Sequence, residues 1–319
     1  MPEIDFVRAI SIVAVVAIHS FLFFGEKARP ASLDVLAVGT RFAVPAFFFV
    51  AGFLAARGPV ASPALYIRSR LQRLLVPYVI ASAITLLSGF SDGGARSIGD
   101  VVFALLFASA WGPYYFVFVL VALVLVTPFM LRLPFRLLVV FCILLLVCTY
   151  WFEHYPLFGV RSLFWAFRNP LRWGSFYVAG IVARPWLERT QIWAVPRVLM
   201  CALLLSMSAI ALLGLTVQLP TLSASRAVAQ LSLIWATIVA LLAWGRLLPP
   251  VVPISWLSEA SYSIYLYHLF FVRGLLPPTP PWPSVTVRTF AFGGALMLSV
   301  AFVWLIRRAL GPKARLLFG

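Results

Sequence analysis

Apolar runs of about 17 to 25 residues recur along the whole chain, separated by short clusters of proline, glycine and charge. That recurrence restricts the fold more than any other feature of the sequence. A helix rising 1.5 Å per residue crosses a hydrocarbon core of roughly 30 Å in about 20 residues. Backbone inside lipid has to satisfy its own hydrogen bonds, which leaves only helices and closed barrels as spanning structures. A barrel would show ten-residue segments of alternating hydrophobicity, and the runs here are continuous. Composition agrees: 63% of 319 residues are hydrophobic, 11% are charged and the mean hydropathy is +1.03. No soluble surface of this size is built that way. The expected fold class is all-α, a polytopic integral membrane helical bundle with about ten spans, forming a single domain over residues 1–319.

The punctuation places spans at 6–25, 33–56, 74–90, 113–131, 136–152, 171–187, 196–215, 227–244, 254–275 and 284–306. Residues 98–110 are too short to cross and are expected at the interface, and "YIRSRLQR" ahead of the third span reads as a basic turn. The opening "MPEIDFVR" carries Glu3 and Asp5 and is followed by no close small-residue cleavage site, so the first run is read as a retained helix. Cys142, Cys148 and Cys201 all fall inside spans, which implies no disulfide framework.

The formal charge of +16, from 25 Lys and Arg against 9 Asp and Glu, does not point to nucleic acid. The basic residues are scattered over short loops and helix ends, where topology and anionic headgroups account for them. Most lie at ends that are cytoplasmic if the N-terminus is inside, Arg57, Arg68, Arg189, Arg246 and Arg308 among them. Both termini are therefore expected in the cytoplasm.

Within the first span, "DFVRAISIVAVVAIHSF" places Arg8 and His19 eleven residues apart. Eleven residues at 100° each close to within about 20° of three turns, so both lie on one face, roughly 16 Å apart along the axis. Asp5 shares that stripe and stands three residues before Arg8, a spacing that permits an ion pair. Ionisable residues inside a membrane face a bundle interior or wet cavity and mark functional paths. An arginine at a helix end also snorkels as a simple anchor, and polar residues also serve helix packing. An imidazole, however, is suited to moving protons near neutral pH.

Two other stretches bear on the chemistry. "RLQRLLVPY" puts Arg70 and Arg73 on one face at the inner mouth of the third span, where forked guanidiniums can grip phosphates. A positive-inside loop looks the same. "SEASYSIYLYHLF" stacks Ser261, Tyr265 and His268 along one face of the ninth span, a pattern shared by polar interiors and by ordinary aromatic packing. At the outer end, Glu153, His154 and Arg172, near Trp165, Arg168 and Asn169, are candidates for an acceptor vestibule, with interface anchoring as the simpler alternative.

Taken together and in order, these stretches resemble the membrane-bound acyltransferase 3 family. "DFVRAISIVAVVAIHS" is similar to the family's Asp-x-x-Arg opening and its arginine, ten residues, histidine signature, landing on Asp5, Arg8 and His19. "VPAFFFVAGFLAAR" resembles the family's second-helix pattern, with Ala51 where serine is common. The Arg-x-x-Arg at Arg70 and Arg73 is followed by "LLVPY", and "SYSIYLYH" ends at His268. "GPYYFVFVL" resembles a tryptophan-bearing fourth-helix pattern, here with Tyr114 and Tyr115. Glu259 stands where a basic or small residue is more usual.

The resemblance implies an acyl-CoA donor, usually acetyl-CoA, used as a co-substrate with no permanently bound cofactor and no metal. It implies that Arg8, Arg70 and Arg73 hold the CoA phosphates and that His19 is the general base, or itself becomes acylated in a ping-pong route. Asp5, Ser261, Tyr265 and His268 would support the centre, with Tyr265 or His268 facing the oxyanion. No SGNH-type hydrolase domain accompanies these residues, so transfer is expected to finish within the membrane domain. The partners implied are acyl-CoA, the bilayer of the inner (plasma) membrane, and a hydroxylated acceptor. An exopolysaccharide, another envelope glycan and a small metabolite all stand open as that acceptor. A polysaccharide or small-molecule transporter is the alternative class. No internal inverted symmetry is visible in the sequence, and carboxylates within the spans are scarce, which weigh against it.

Overall fold

The computed structural model describes all residues except 23–31, 59–61, 90–96, 155–161, 190–194, 219–222, 250 and 277–283; within helices, several side chains, Glu153 and His154 included, also lie outside the described set. The described residues form helices and no strand. In chain order these are α1 (Pro2–Phe21), α2 (Ser32–Gly39), α3 (Ala43–Ala55), α4 (Pro63–Leu87), α5 (Ile98–Leu106), α6 (Tyr115–Met130), α7 (Phe135–His154), α8 (Leu163–Arg168), α9 (Pro170–Arg189), α10 (Val195–Gln218), α11 (Ser223–Leu247), α12 (Val252–Leu275), α13 (Val285–Leu310) and α14 (Lys313–Leu317). A 3-10 turn, Gly112–Tyr114, leads into α6. The protein is thus an all-α polytopic membrane protein.

Among the described residues, seven segments are long and apolar enough to cross a bilayer: 2–21, 36–55, 63–87, 112–130, 135–152, 225–247 and 285–310. α9 and α12 are as long but more polar, through Arg172, Arg184, Glu188 and Arg189 in the first and Ser258, Glu259, Tyr265 and His268 in the second. α10 contributes the apolar stretch Val198–Ile210. α7 leaves Leu137, Val140, Ile143, Leu144 and Val147 exposed along one side, a surface that hydrocarbon covers and water would not tolerate.

Local signals explain the boundaries. "YIRSRLQR" is helical rather than a turn: Ser62 caps α4 by accepting from the Leu65 amide at 3.5 Å and Pro63 occupies the first helical position, so the helix starts eleven residues earlier than the hydropathy suggests. Arg68, Arg70 and Arg73 therefore ride on α4, since long straight side chains suit a helix as well as a loop. The second span is broken between α2 and α3 at residues 40–42. α5 is the short element expected outside the core, opened by a capping box between Ser97 and Asp100. It ends where Ala108, buried, adopts φ +51°, a conformation usually given to glycine, and turns the chain toward Trp111.

The chain divides into two compact units. The first contains Met1–Ser11, Arg41–Pro59 and Phe129–Ser258. Its tightest crossing joins α3 and α9 through two glycines. A Cβ on Gly52 would lie 1.8 Å from the Tyr177 carbonyl oxygen, and one on Gly180 would lie 2.0 Å from that of Phe49. Only small residues let helix backbones approach so closely. α7 lies along α9, with Gly174 against Leu145 and the Thr149 and Ser175 hydroxyls 2.7 Å apart. Arg184 donates to the Phe53 carbonyl at 3.1 Å and Arg246 to that of Leu187 at 2.9 Å, each closing a helix end.

The second unit contains Ile12–Thr40, Val60–Pro128 and Glu259–Gly319. Here tyrosine hydroxyls fasten helices by donating to backbone carbonyls. Tyr78 reaches Leu105 at 2.9 Å, Tyr114 reaches Leu266 at 2.8 Å and Tyr262 reaches Leu74 at 2.7 Å, three residues before the Pro77 that lies inside α4. α14 carries the chain back to α12, where Ser263 donates to the Gly319 carbonyl at 2.6 Å and Phe318 packs on Tyr267.

Candidate active site

His19 and His268 meet in the second unit. The C-terminal half of α1 carries His19 and α12 carries His268, both buried, with ring centroids 5.0 Å apart and planes at 73°. His19 Nδ1 lies 2.9 Å from the Val15 carbonyl, and His268 Nδ1 lies 2.7 Å from that of Tyr265 and 3.2 Å from that of Ile264. A carbonyl only accepts, so each neutral ring carries its proton on Nδ1 and keeps Nε2 as its basic nitrogen. His268 Nε2 is buried without a hydrogen-bond partner. Buried polar atoms are nearly always paired, which leaves this nitrogen with an unused acceptor position.

The surroundings hold the pair in place. Tyr265, one turn before His268, donates to the Pro113 carbonyl. Its ring packs against Phe116 at 5.3 Å. Trp111 meets Phe270 edge-on at 4.5 Å. Because the Tyr265 hydroxyl is committed to a carbonyl, this side chain fixes α12 against the 112–116 segment. Ser261 is buried on the same helix face, two turns from His268. Arg288, on α13 and buried, donates to the Phe21 carbonyl at 3.1 Å and, more weakly, to that of Ser20 at 3.4 Å. It thereby caps the end of α1 directly after His19.

The other expected site residues are spread over both units. On α4, Arg70 is half-buried over the Tyr66 ring at 5.4 Å and Arg73 is exposed. In the first unit, Arg8 is half-buried on the N-terminal half of α1. Asp5 accepts from the Ser258 hydroxyl at 2.8 Å and faces the N-terminal amine at 3.6 Å. Arg172 lies in the first unit on α9, its guanidinium 5.1 Å from the Phe167 ring and 5.3 Å from that of Trp173. The side chains of Glu153 and His154 lie outside the described residues.

Sequence reasoning missed Arg288, Tyr262 and Trp111. For Arg288, a guanidinium four residues into a 26-residue apolar helix is a signal in itself.

The fold defines a class, multi-pass helical membrane proteins, and this one buries a pair of imidazoles among its helices. The family is given by comparison with known proteins. A family model described as an acyltransferase domain matches residues 1–308, and the chain belongs to the acyltransferase 3 family. It is a membrane acyltransferase. No curated protein and no solved structure matches it.

Proposed function

We infer that this protein is an O-acyltransferase of the inner membrane that moves an acyl group, acetyl in the first instance, from cytoplasmic acyl-CoA to a hydroxyl of a glycan or similar acceptor. The observation that carries the reading is the buried His19–His268 pair, with both Nδ1 atoms tied to carbonyls. His19 Nε2 takes the proton of the acceptor hydroxyl, and the oxygen attacks the thioester carbonyl. The tetrahedral intermediate expels the CoA thiolate, and the proton returns from His19 to that sulfur, so the base is restored. His268 lies close enough to share the proton and, once protonated, to present Nε2–H to the developing oxyanion.

Arg70 and Arg73 fit the donor's charge. They stand one turn apart on α4, ahead of its apolar stretch, where CoA phosphates arriving from the cytoplasm would be met by forked donors. Arg8 would add a cation in the N-terminal half of α1. Asp5 and Ser258 keep the inner end of α1 and the start of α12 in register, and Ser261 and Tyr265 support His268. Glu153, His154 and Arg172 would receive the acceptor from the outer side.

The test is twofold. Purified protein should bind labelled acetyl-CoA. Envelope glycans from cells with and without the active protein, compared by mass spectrometry, should differ by an acyl ester. Neither binding nor an ester difference would leave a transporter as the better reading.

A further inference from the structure

In the first unit, α3, α7, α9 and α11 form a groove of about 290 Å³ lined by aliphatic and aromatic side chains and Cys142. Phe49, Leu187, Ile238 and Leu242 are buried and make its floor, whereas Ile143, Trp186 and Val239 are exposed at its rim. α7 and α11 both span, so the groove opens to hydrocarbon rather than to water. Small residues make the hollow: Ala179 and Ala183, one turn apart on α9, bring only methyl groups to a lining of otherwise larger side chains. We propose that this groove holds one acyl chain of an anionic phospholipid, with the lipid phosphate at the arginines that end it. The site lies apart from acyl transfer and does not depend on that reading.

Shape selects the occupant. From Ala179 to Leu187 the groove follows α9 for about 12 Å, most of the roughly 15 Å depth of one hydrocarbon leaflet. A helix about 10 Å across is too thick for this volume over that length, and a single alkyl chain is not. Left empty, the floor would forfeit its dispersion contacts on one side. Charge selects the headgroup. Each long helix of the groove carries an arginine one turn beyond a lining residue, on the same face: Arg136 before Val139, Arg189 after Trp186 and Arg246 after Leu242. Arg246 donates to the Leu187 carbonyl at 2.9 Å and adds its charge alone, while Arg136 and Arg189 are exposed. Glu188, next to the floor residue Leu187, is paired with Arg184 at 2.6 Å. Basic residues at a membrane surface attract anionic lipid, and here they stand at the end of a slot for its tail.

Native mass spectrometry of the purified full chain, stripped of lipid in detergent and titrated with phosphatidylglycerol or phosphatidylcholine, tests the site. Phosphatidylglycerol is expected to bind at least about fivefold more tightly, the effect of roughly one arginine charge near the surface. Arg136→Gln combined with Arg189→Gln should erase that preference while phosphatidylcholine still binds. Ala183→Phe, which fills the groove, and Ile143→Trp, at its exposed rim, should each lower phosphatidylglycerol affinity by about tenfold or more at an unchanged melting temperature. A reading on the unaltered chain stands beside these variants. In nanodiscs, phosphatidylglycerol with a photoreactive group on one acyl chain should label Ile143, Trp186 and Val239 in preference to Leu204 and Met207, which are exposed on α10. Equal labelling of the two sets, or affinity indifferent to both groove variants, describes ordinary surrounding lipid and overturns the proposal. Equal binding of the two phospholipids, or retention of a polyprenyl phosphate alone, overturns it as well.

Discussion

The α3–α9 crossing offers a prediction whose size is fixed by geometry. Gly52→Ala places a methyl 1.8 Å from the Tyr177 carbonyl oxygen, and both groups belong to helix backbones that have no flexible end to move. Ordinary contact begins near 3.4 Å. The helices must therefore part by roughly 1.5 Å, loosening the packing of Phe49, Phe53 and Phe176 around them. Overpacking of this kind costs about 1–3 kcal/mol, which corresponds to a fall of roughly 1.5–4.5 °C in melting temperature for a chain of this size. Gly180→Ala, 2.0 Å from the Phe49 carbonyl, should cost about the same. Both lie on one crossing, so the double variant should lose clearly less than the sum of the two, because the first substitution has already separated the helices. Gly293→Ala on α13 meets nothing within 4 Å and is the control. Thermal denaturation in detergent followed by near-ultraviolet dichroism gives the comparison. A Gly52→Ala protein that melts with the wild type would refute the close approach.

Four further outcomes follow from the site and its supports. Arg288→Ala, which uncaps α1 beside His19, should lower stability by about 1–3 kcal/mol in the same melt and reduce the transfer rate, with Arg288→Lys intermediate. Arg70→Ala or Arg73→Ala should raise KM for acyl-CoA roughly tenfold in steady-state assays while leaving kcat near its original value. His268→Ala should leave folding intact and lower kcat by about 10²-fold or more, read from initial rates. Ala108→Gly should raise the melting temperature, by an amount equivalent to about 1 kcal/mol, by relieving its φ of +51°.

The fold class was legible because membrane physics leaves so few options: apolar runs of spanning length became helices at nearly the expected places. Finer features escaped for identifiable reasons. The start of α4 was masked by its arginines, whose charge reads as loop while their side chains favour helix. The α2–α3 break carries Arg41 and is followed by Pro45 in the first turn of α3, but the residues on both sides are apolar enough for the run to read as one span. Periodicity on single helices put His19 and His268 on polar stripes, but their approach to 5.0 Å joins positions 249 residues apart and is a property of packing. The same holds for Arg288 on the α1 carbonyls and for the tyrosines that lock α12. Each bonds to backbone carbonyls far along the chain, and backbone carries no sequence signature.

The central claim is that His19 accepts the acceptor's proton, and the direct measurement is acyl transfer from labelled acetyl-CoA by His19→Ala in a preparation shown to be folded. The account predicts loss of at least about 10²-fold in transfer rate with donor binding retained. A variant that folds, binds acetyl-CoA and transfers the acyl group at the wild-type rate would contradict it.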